Sequence, residues 1–237
     1  MKNEEGASGM DNLGDRMKKN YEDRYRFYLT RRVPVIIRPD GRAFHTLTKN
    51  CEKPFDRQFC NRMDYVAIKL MEGMQGAKCA YVQSDEISIL LTDFDTLTTD
   101  AWFNYNVQKM ASVSAGMASA LFTRVMEDDD NIATFDSRVF NVPKEEVANY
   151  FVWRQKDWIR NSVSMLALSY YSHKELHKKN QKDMHEMLHI KGVNWADIRQ
   201  RYKNGCFIYR ELGSIAYRYD VIFTEERNCI ERCLGVE

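Results

Sequence analysis

Two short acidic segments, Asp40-Gly41-Arg42 and Ser84-Asp85-Glu86, stand where apolar runs of the chain end. The first follows the run 33–38, and the second joins the runs 79–83 and 87–91. If these runs are neighbouring strands, the two acidic segments meet at one end of a sheet, where carboxylates bind hard divalent cations that hold nucleotide phosphates. Each tripeptide alone is typical of a turn, because Asp, Gly and Ser favour turns for local reasons. Two of them, each at a strand end, favour a site.

Hydrophobic periodicity predicts the elements that would position these segments. The predicted elements are a strand at 33–38, an amphipathic helix at 55–73, a β-hairpin of 79–83 and 86–91, a helix at about 100–123 and a strand at 133–141. This β-α-β-β-α-β order is the ferredoxin-like arrangement, in which the first strand and the hairpin are adjacent, so Asp40 and Asp85 would face one another. Small residues over 112–119 predict that another element approaches the second helix closely.

The C-terminal part is predicted to be an elaboration packed on the same sheet, because no low-complexity linker precedes it. Pro143 and the acidic residues after it open a long helix that extends to about residue 171. The further predicted elements are a polar helix near 174–190, a short helix capped by Asn194 and ended by Gly205, and strands at 206–210 and 215–223.

Composition and charge bear on which partners and which compartment the protein can have. The chain has 237 residues and a net charge of +1, and its basic residues occur in separate clusters, which leaves RNA binding open. No apolar run approaches the roughly 18 residues of a membrane span, and the polar N-terminus lacks the apolar stretch of a secretory signal. Six cysteines without a Cys-x-x-Cys pattern indicate reduced thiols, so we expect a cytoplasmic protein that does not bind membranes.

Five ordered segments carry a resemblance to a known family; they span 37–45, 83–86, 101–103, 135–140 and 153–157. The chain resembles the tRNA-histidine guanylyltransferase superfamily, in particular the guanylyltransferase-like branch that adds nucleotides in the 3′-to-5′ direction. The resemblance covers about residues 11–223 and implies an α+β fold with a ferredoxin-like, polymerase-palm core. The domain boundaries expected from it are a flexible N-terminus at 1–10, the palm-like nucleotidyltransferase core at 11–142 and the helical and β elaboration at 143–237.

The resemblance also implies a site for two Mg²⁺ ions and a nucleoside triphosphate. Asp40, the backbone carbonyl of Gly41 and Asp85 would hold the ions, with Glu86 beside them as a further catalytic residue. The residues expected to bind the nucleotide are Asp40, Gly41, Arg42, Ala43, Phe44, His45, Lys49, Ser84 and Asp85. His45 is equally well interpreted as a packing residue.

Four residues are expected to contact RNA or a second phosphate, namely Arg138, Arg154, Arg160 and Asn161. For Arg138, a structural ion pair with Asp136 is an equally good interpretation. Trp153 and Trp158 are predicted to be core or subunit-interface residues, with stacking on a base as the alternative.

One departure from the family pattern bears on the reaction. Guanylyltransferases of the eukaryotic type carry His-Ile-Asn-Asn where this chain has Ile159-Arg160-Asn161-Ser162. The departure implies template-directed repair of 5′-truncated tRNA after activation by ATP or GTP. The alternatives are untemplated G addition to tRNA-His, a nucleotide cyclase, and a non-catalytic RNA-binding module. The implied partners are tRNA and nucleoside triphosphates, and the implied assembly is a homotetramer formed as a dimer of dimers.

Overall fold

The computed structural model describes residues 12–128 and 130–235, so the predicted flexible segment 1–10 lies outside the described residues. The strands are β1 (Val35–Gly41), β2 (Ala77–Gln83), β3 (Glu86–Leu91), β4 (Phe135–Asn141), β5 (Cys206–Glu211) and β6 (Ser214–Arg218). The α-helices are α1 (Leu13–Met17), α2 (Phe44–Leu47), α3 (Arg57–Gly73), α4 (Val107–Met126), α5 (Val147–Leu168), α6 (Gln181–Ile190), α7 (Gln200–Asn204) and α8 (Asn228–Cys233). Shorter 3₁₀ or π segments span Lys18–Glu22, Asp23–Tyr25, Trp102–Tyr105, Lys144–Glu146 and Trp195–Asp197. Within this part of the chain, every helix is too short or too polar to cross a membrane.

The strands form one sheet in the order β4-β1-β3-β2-β5-β6, and each neighbouring pair is antiparallel. Its first four strands have the ferredoxin-like order, with α3 and α4 as the connecting helices, so the predicted α+β fold is confirmed. Ile37 lies opposite Ile89, and Asp40 lies opposite Glu86. This register brings the end of β1 to the turn between β2 and β3.

Both faces of the sheet are covered. Residues such as Ile37 and Ile89 pack on the layer of α3 and α4, whereas Ile36 and Leu90 pack with α5 and α8. Every residue of β3 is buried, and after Glu86 the strand is apolar except for Ser88, whose buried hydroxyl is hydrogen bonded to the hydroxyl of Tyr150 at 2.8 Å. Full burial of each such aliphatic side chain contributes roughly 1.5–3 kcal/mol.

The small residues of α4 let the edge strand β4 approach closely. Ser114 Oγ donates a hydrogen bond to Ser137 Oγ at 2.7 Å, and the N–H of Phe135 donates to Ser119 Oγ at 2.9 Å. The close approach predicted from these residues is confirmed.

Three predicted boundaries are wrong. The second helix, predicted from about residue 100, begins only at Val107, because Phe103, Asn104 and Tyr105 have positive φ and Asn106 caps the first turn. The polar helix begins only at Gln181, because Asn180 and Asp183 form a capping box that fixes its first turn there. The last strand ends at Arg218, which pairs with Phe207 near the start of β5. Beyond Arg218, β5 has almost no backbone left to pair with, so the chain leaves the sheet.

Gln155 of α5 connects the C-terminal segments to the core. Its buried side-chain amide donates to the carbonyls of Asn204 and Val221 at 3.1 and 2.9 Å, and its Oε1 accepts from the N–H of Phe223 at 2.7 Å. One side chain thus pairs three backbone groups from two distant segments.

We predict that Gln155→Leu lowers the free energy of unfolding by at least about 2 kcal/mol, since each buried backbone group left unpaired costs about 1–3 kcal/mol. Urea denaturation checks this value. Lys156→Ala, at the exposed neighbouring position, is the control and should change stability by less than about 0.5 kcal/mol. A Gln155→Leu variant as stable as the control would contradict the anchoring role.

Candidate active site

The two acidic segments meet at one end of the sheet. The N–H of Gly41 donates a hydrogen bond to the carbonyl of Asp85 at 3.0 Å. A Cβ on Gly41 would lie 2.5 Å from Cδ2 of Phe44 and 2.8 Å from Cβ of Asp85. Glycine is therefore required here because the two segments approach each other too closely for a side chain.

Left-handed backbone at a residue other than glycine occurs within the second segment and directly after the first. Ser84 has φ +45° in the two-residue turn between Gln83 and Glu86, and Ala43 has φ +56° in the loop after β1. Each such residue costs roughly 1–3 kcal/mol, and strain of this kind clusters at functional sites. The surrounding contacts, such as the hydrogen bond from Gly41 to Asp85, must therefore hold the turn that carries Asp85 and the loop that follows Asp40.

The carboxylates of Asp40 and Asp85 influence each other electrostatically. Burial raises the pKa of the Asp85 carboxyl; a hydrogen bond with Ser84 opposes the rise, and the negative charges of Asp40 and Glu86 add to it. Two partly buried like charges at one place are unfavourable without a cation between them.

The donor set at this place fits Mg²⁺. Among the described residues, no three His, Cys, Asp or Glu side chains converge into a complete metal cage. Mg²⁺ usually needs only one or two carboxylates, with water and substrate phosphates as its other ligands. Asp40 and Asp85 therefore fit an ion that arrives with a nucleotide.

Arg138 of β4 reaches this site. Its Nη1 lies 3.1 Å from Oδ2 of Asp40, and its Nη2 lies 3.6 Å from Oδ1 of Asp136. The predicted pair with Asp136 is thus present, but Asp40 is the nearer partner. The Arg138 side chain is 49% exposed, and an exposed ion pair contributes only about 0–1 kcal/mol. The guanidinium can therefore exchange Asp40 for a phosphate at little cost.

A cleft of about 380 Å³ opens beside the two segments. The predicted nucleotide-binding residues that line it are Gly41, Ala43, Phe44, His45, Ser84 and Asp85. The other predicted residues lie outside this lining: Asp40 faces Arg138, Arg42 lines a neighbouring cavity of about 340 Å³, and Lys49 is exposed after α2. The cleft thus brings together six of the residues that sequence motifs assigned to one site.

Phe44 anchors the loop between β1 and α2. Its buried ring makes edge contacts with Phe59, Phe122 and Phe135, with centroids 6.1, 5.2 and 4.9 Å away. Because α2 begins at Phe44, the first N–H groups of this helix have no intrahelical acceptor. Phe44 thus holds the loop in place by packing its ring, while the exposed side chain of His45 lines the cleft.

Gly41→Ala is expected to shift the Asp85 turn and the Phe44 ring, because its methyl group overlaps both. We predict a loss of about 1–3 kcal/mol in the free energy of unfolding, the usual cost of overpacking, together with loss of nucleotide binding. Gly116→Ala in α4 is the matched control, since a Cβ there meets nothing within 4 Å and should stabilise the helix by up to about 1 kcal/mol. Urea denaturation measures the stability of the two variants, and calorimetry measures their nucleotide binding. Equal stability and equal nucleotide binding of the two variants would contradict the close approach.

Glu86 and Arg154 form a buried ion pair away from the cleft. Nε and Nη2 of Arg154 each donate to a different Glu86 oxygen at 2.8 Å, and Gln83 Nε2 donates to the same carboxylate at 2.9 Å. Both charged residues are less than a tenth exposed. The catalytic role predicted for Glu86 and the phosphate contact predicted for Arg154 are therefore not what this geometry favours: each side chain satisfies the other.

The remaining predicted contacts lie on α5. Arg160 and Asn161 are exposed, and Arg160 pairs with Asp157. Trp153 is 54% exposed, whereas Trp158 is buried and lines the cleft, with no hydrogen-bond partner for its Nε1 among the described residues. These residues are neighbours in sequence, but the helix places their side chains in different environments.

Sequence motifs did not identify one wall of the cleft. Trp158 and Met165 of α5 and the segment 51–56 supply this wall. The only sequence signal for the helical part is the spacing of seven residues between Trp158 and Met165, which places them on one face. The segment 51–56 carries no motif that points to a cleft.

Comparisons with known proteins agree with the resemblance that the sequence motifs carry. The family model described as Thg1, tRNAHis guanylyltransferase, matches residues 14–143. A solved bacterial tRNA(His) guanylyltransferase (Thg1)-like protein in complex with ATP is 44% identical, with a TM-score of 0.90 over 94% of this chain and 100% of its own. A bacterial Thg1-like protein in complex with GTP is 42% identical, with a TM-score of 0.85 over 95% of this chain and 100% of its own.

A curated relative agrees as well. The tRNA(His) guanylyltransferase of Debaryomyces hansenii is 27% identical over 199 residues, which are 75% of this chain and 73% of the relative. The resemblance that the five motifs indicated is confirmed. The chain belongs to the Thg1 family of tRNA guanylyltransferases, which are nucleotidyltransferases.

Proposed function

We propose that the chain is a Mg²⁺-dependent nucleotidyltransferase that adds nucleotides to tRNA 5′ ends in the 3′-to-5′ direction. Its reaction is template-directed repair of 5′-truncated tRNA after activation by ATP or GTP. The observation that carries this proposal is the meeting of the Asp40 and Asp85 segments beside a cleft. The similarity to bacterial Thg1-like proteins in complex with ATP and GTP supports it.

In this proposal, Asp40, the carbonyl of Gly41 and Asp85 hold two Mg²⁺ ions. When bound, the ions neutralise the triphosphate and lower the pKa of an attacking hydroxyl. Ser84 and the backbone of the loop from Asp40 to His45 orient the triphosphate. Lys49 and the side chain of Arg42 would add positive charge at the mouth of the site.

The proposed reaction has two displacements at phosphorus. First, the 5′-monophosphate of the RNA attacks the α-phosphorus of ATP, which forms a 5′-adenylylated end and releases pyrophosphate. The 3′-hydroxyl of an incoming nucleotide then attacks the RNA 5′-phosphorus, loses its proton and displaces AMP. Arg138, at the surface between Asp40 and Asp136, is placed to pair with a phosphate during either step.

The segment that departs from the eukaryotic-type pattern lies on α5. Ser162 stands where the eukaryotic type has the second Asn, and it is fully buried. Its Oγ donates to the carbonyl of Ile159 and accepts from Nε1 of Trp195, both at 2.9 Å. A side chain held this way is not available to a substrate, which supports the repair branch.

The experiment uses labelled tRNA that lacks its first nucleotide, with Mg²⁺, ATP and each nucleotide in turn. The base opposite the missing position is varied. Repair predicts incorporation of the matching nucleotide in every case. G addition regardless of the opposite base would support the untemplated alternative, cyclic nucleotide formed without RNA would support a cyclase, and binding without any product would support an RNA-binding module.

We further propose the assembly, the domain boundaries and the compartment. The family match to 14–143 supports a catalytic core at 11–142 and an elaboration at 143–237. The half-exposed Trp153 on α5 supports a subunit interface in a homotetramer. Six free cysteines support a reducing compartment, the cytoplasm.

A further inference from the structure

A second cleft, of about 580 Å³, adjoins the candidate nucleotide cleft. Cys60 lines both clefts. Phe55 lines the nucleotide cleft and Tyr202 lines the second, and their rings stack with centroids 4.8 Å apart at an interplanar angle of 12°. A single stacked pair of rings therefore forms part of the wall between the two spaces.

The second cleft is positively charged. Arg57, Arg199 and Arg201 line it against a single carboxylate, that of Asp64. Asp64 is already paired with Arg201, whose Nη2 donates at 2.7 Å and whose Nε donates at 2.9 Å. Arg57 and Arg199 are exposed, and neither has an ion-pair partner among residues 12–128 and 130–235. Two arginine charges thus remain available to an anion.

Arg201 also holds a polar atom that lacks a partner. The residue is 7% exposed, and its Nη1 has no hydrogen-bond acceptor within the described part of the chain. A buried donor left unpaired costs about 1–3 kcal/mol, so an acceptor supplied by a ligand would be bound favourably. Because Nη1 itself has almost no accessible surface, an acceptor bound in the cleft that Arg201 lines reaches it only after a small shift of this side chain.

Tyrosine rings supply the other half of the cleft. Tyr65 and Tyr217 are 37% and 55% exposed, and the ring of Tyr217 lies 5.2 Å from that of Tyr219. Exposed aromatic rings beside basic groups are typical of single-stranded nucleic-acid sites, where bases stack on the rings and arginines pair with the backbone. A free inorganic anion would use the arginines alone and would gain nothing from exposed rings.

We propose that this tyrosine–arginine cleft binds an unpaired nucleotide of the RNA substrate. The base stacks on Tyr217, and the phosphate pairs with Arg199 and with Nη1 of Arg201. The proposal rests on the proposed function in that RNA is the substrate. A strand whose end occupies the nucleotide cleft reaches the second cleft across the Phe55–Tyr202 wall, so the two subsites serve one bound RNA.

The test measures fluorescence anisotropy of a labelled four-nucleotide single-stranded RNA with the full chain. Tyr217→Ala is expected to weaken binding at least about fivefold, the lower end of what one base–aromatic stack contributes. Tyr217→Phe keeps the ring and should retain wild-type affinity. Arg199→Ala should weaken binding and reduce the salt dependence by about one phosphate contact. Tyr170→Ala and Arg124→Ala, exposed residues outside this cleft, are the matched controls and should bind as the wild type.

Three results would overturn the proposal. Wild-type affinity of Tyr217→Ala for the oligonucleotide would exclude stacking of a base on Tyr217. If Tyr217→Ala lost as much affinity for blunt duplex RNA as for the single-stranded oligonucleotide, the cleft would not select unpaired nucleotides. Displacement of the oligonucleotide by AMP at the same concentration identifies a free-nucleotide site. The binding assay does not depend on turnover, so it tests this cleft even if the protein fails to extend tRNA. Unchanged binding of Mg²⁺-ATP by Tyr217→Ala would show that the substitution leaves the nucleotide cleft intact.

Discussion

Asp85→Asn is expected to reduce the rate of tRNA extension at least about a thousandfold, because the variant loses several kcal/mol of charge stabilisation that bound metal supplies to the transferring phosphoryl group. The amide keeps the size of the side chain and the hydrogen bond from Gly41 to the backbone of residue 85. Single-turnover extension of labelled 5′-truncated tRNA measures the loss. Asp95→Asn, which removes an exposed carboxylate paired with Lys78, is the control and should extend tRNA at the wild-type rate.

The same substitution should not destabilise the fold. Burial and the charge of Asp40 raise the pKa of Asp85 in the folded state, so the folded protein binds a proton there more tightly than the unfolded chain does. The wild type therefore loses stability as pH rises from the ordinary aspartate pKa through the raised value, whereas Asp85→Asn does not. At neutral pH without metal, the variant should be as stable as the wild type or more stable. An unfolded variant, or one with wild-type turnover, would contradict the assignment.

Arg154→Leu is expected to lower the free energy of unfolding by about 3–5 kcal/mol, because it leaves the buried carboxylate of Glu86 without its main partner. The loss should be largely recovered in the double variant with Glu86→Leu, which removes both charges. Urea denaturation of the two single variants and the double variant gives the coupling between the two residues.

Arg160→Leu on the same helix is the control for Arg154→Leu. Arg160 is exposed, and its ion-pair partner among the described residues is Asp157, so its removal should change stability by less than about 1 kcal/mol. If Arg154→Leu were as stable as this control but bound tRNA more weakly, Arg154 would be a phosphate contact and the ion pair with Glu86 would be incidental.

The convergence of the two acidic segments could be predicted from sequence because it follows from local patterns. Alternation of Ile87, Ile89 and Leu91 identified the strand, and the order of elements identified the neighbour of β1. Asp40 and Asp85 both stand where predicted strands end, so the topology alone brings them to the same end of the sheet. Gly41 and Phe44 were assigned only through the family resemblance, and the structure adds that the close approach requires the glycine and that the Phe44 ring anchors the loop.

The partners of the remaining charged residues could not be predicted, because they depend on contacts between distant segments. Arg154 and Glu86 are far apart in sequence, and only the packing of α5 on the sheet brings them together. The same holds for Arg201 and Asp64, which join α7 to α3. The sequence of a family motif does not show whether the partner of a basic residue in it is a buried carboxylate or a phosphate.

The most direct measurement is a structure of the protein with Mg²⁺ and a non-hydrolysable ATP analogue. The proposed function predicts at least one Mg²⁺ with carboxylate oxygens of both Asp40 and Asp85 at about 2.0–2.1 Å, and the triphosphate against the loop after β1. An analogue bound with its triphosphate elsewhere, or ions that touch neither carboxylate, would contradict it.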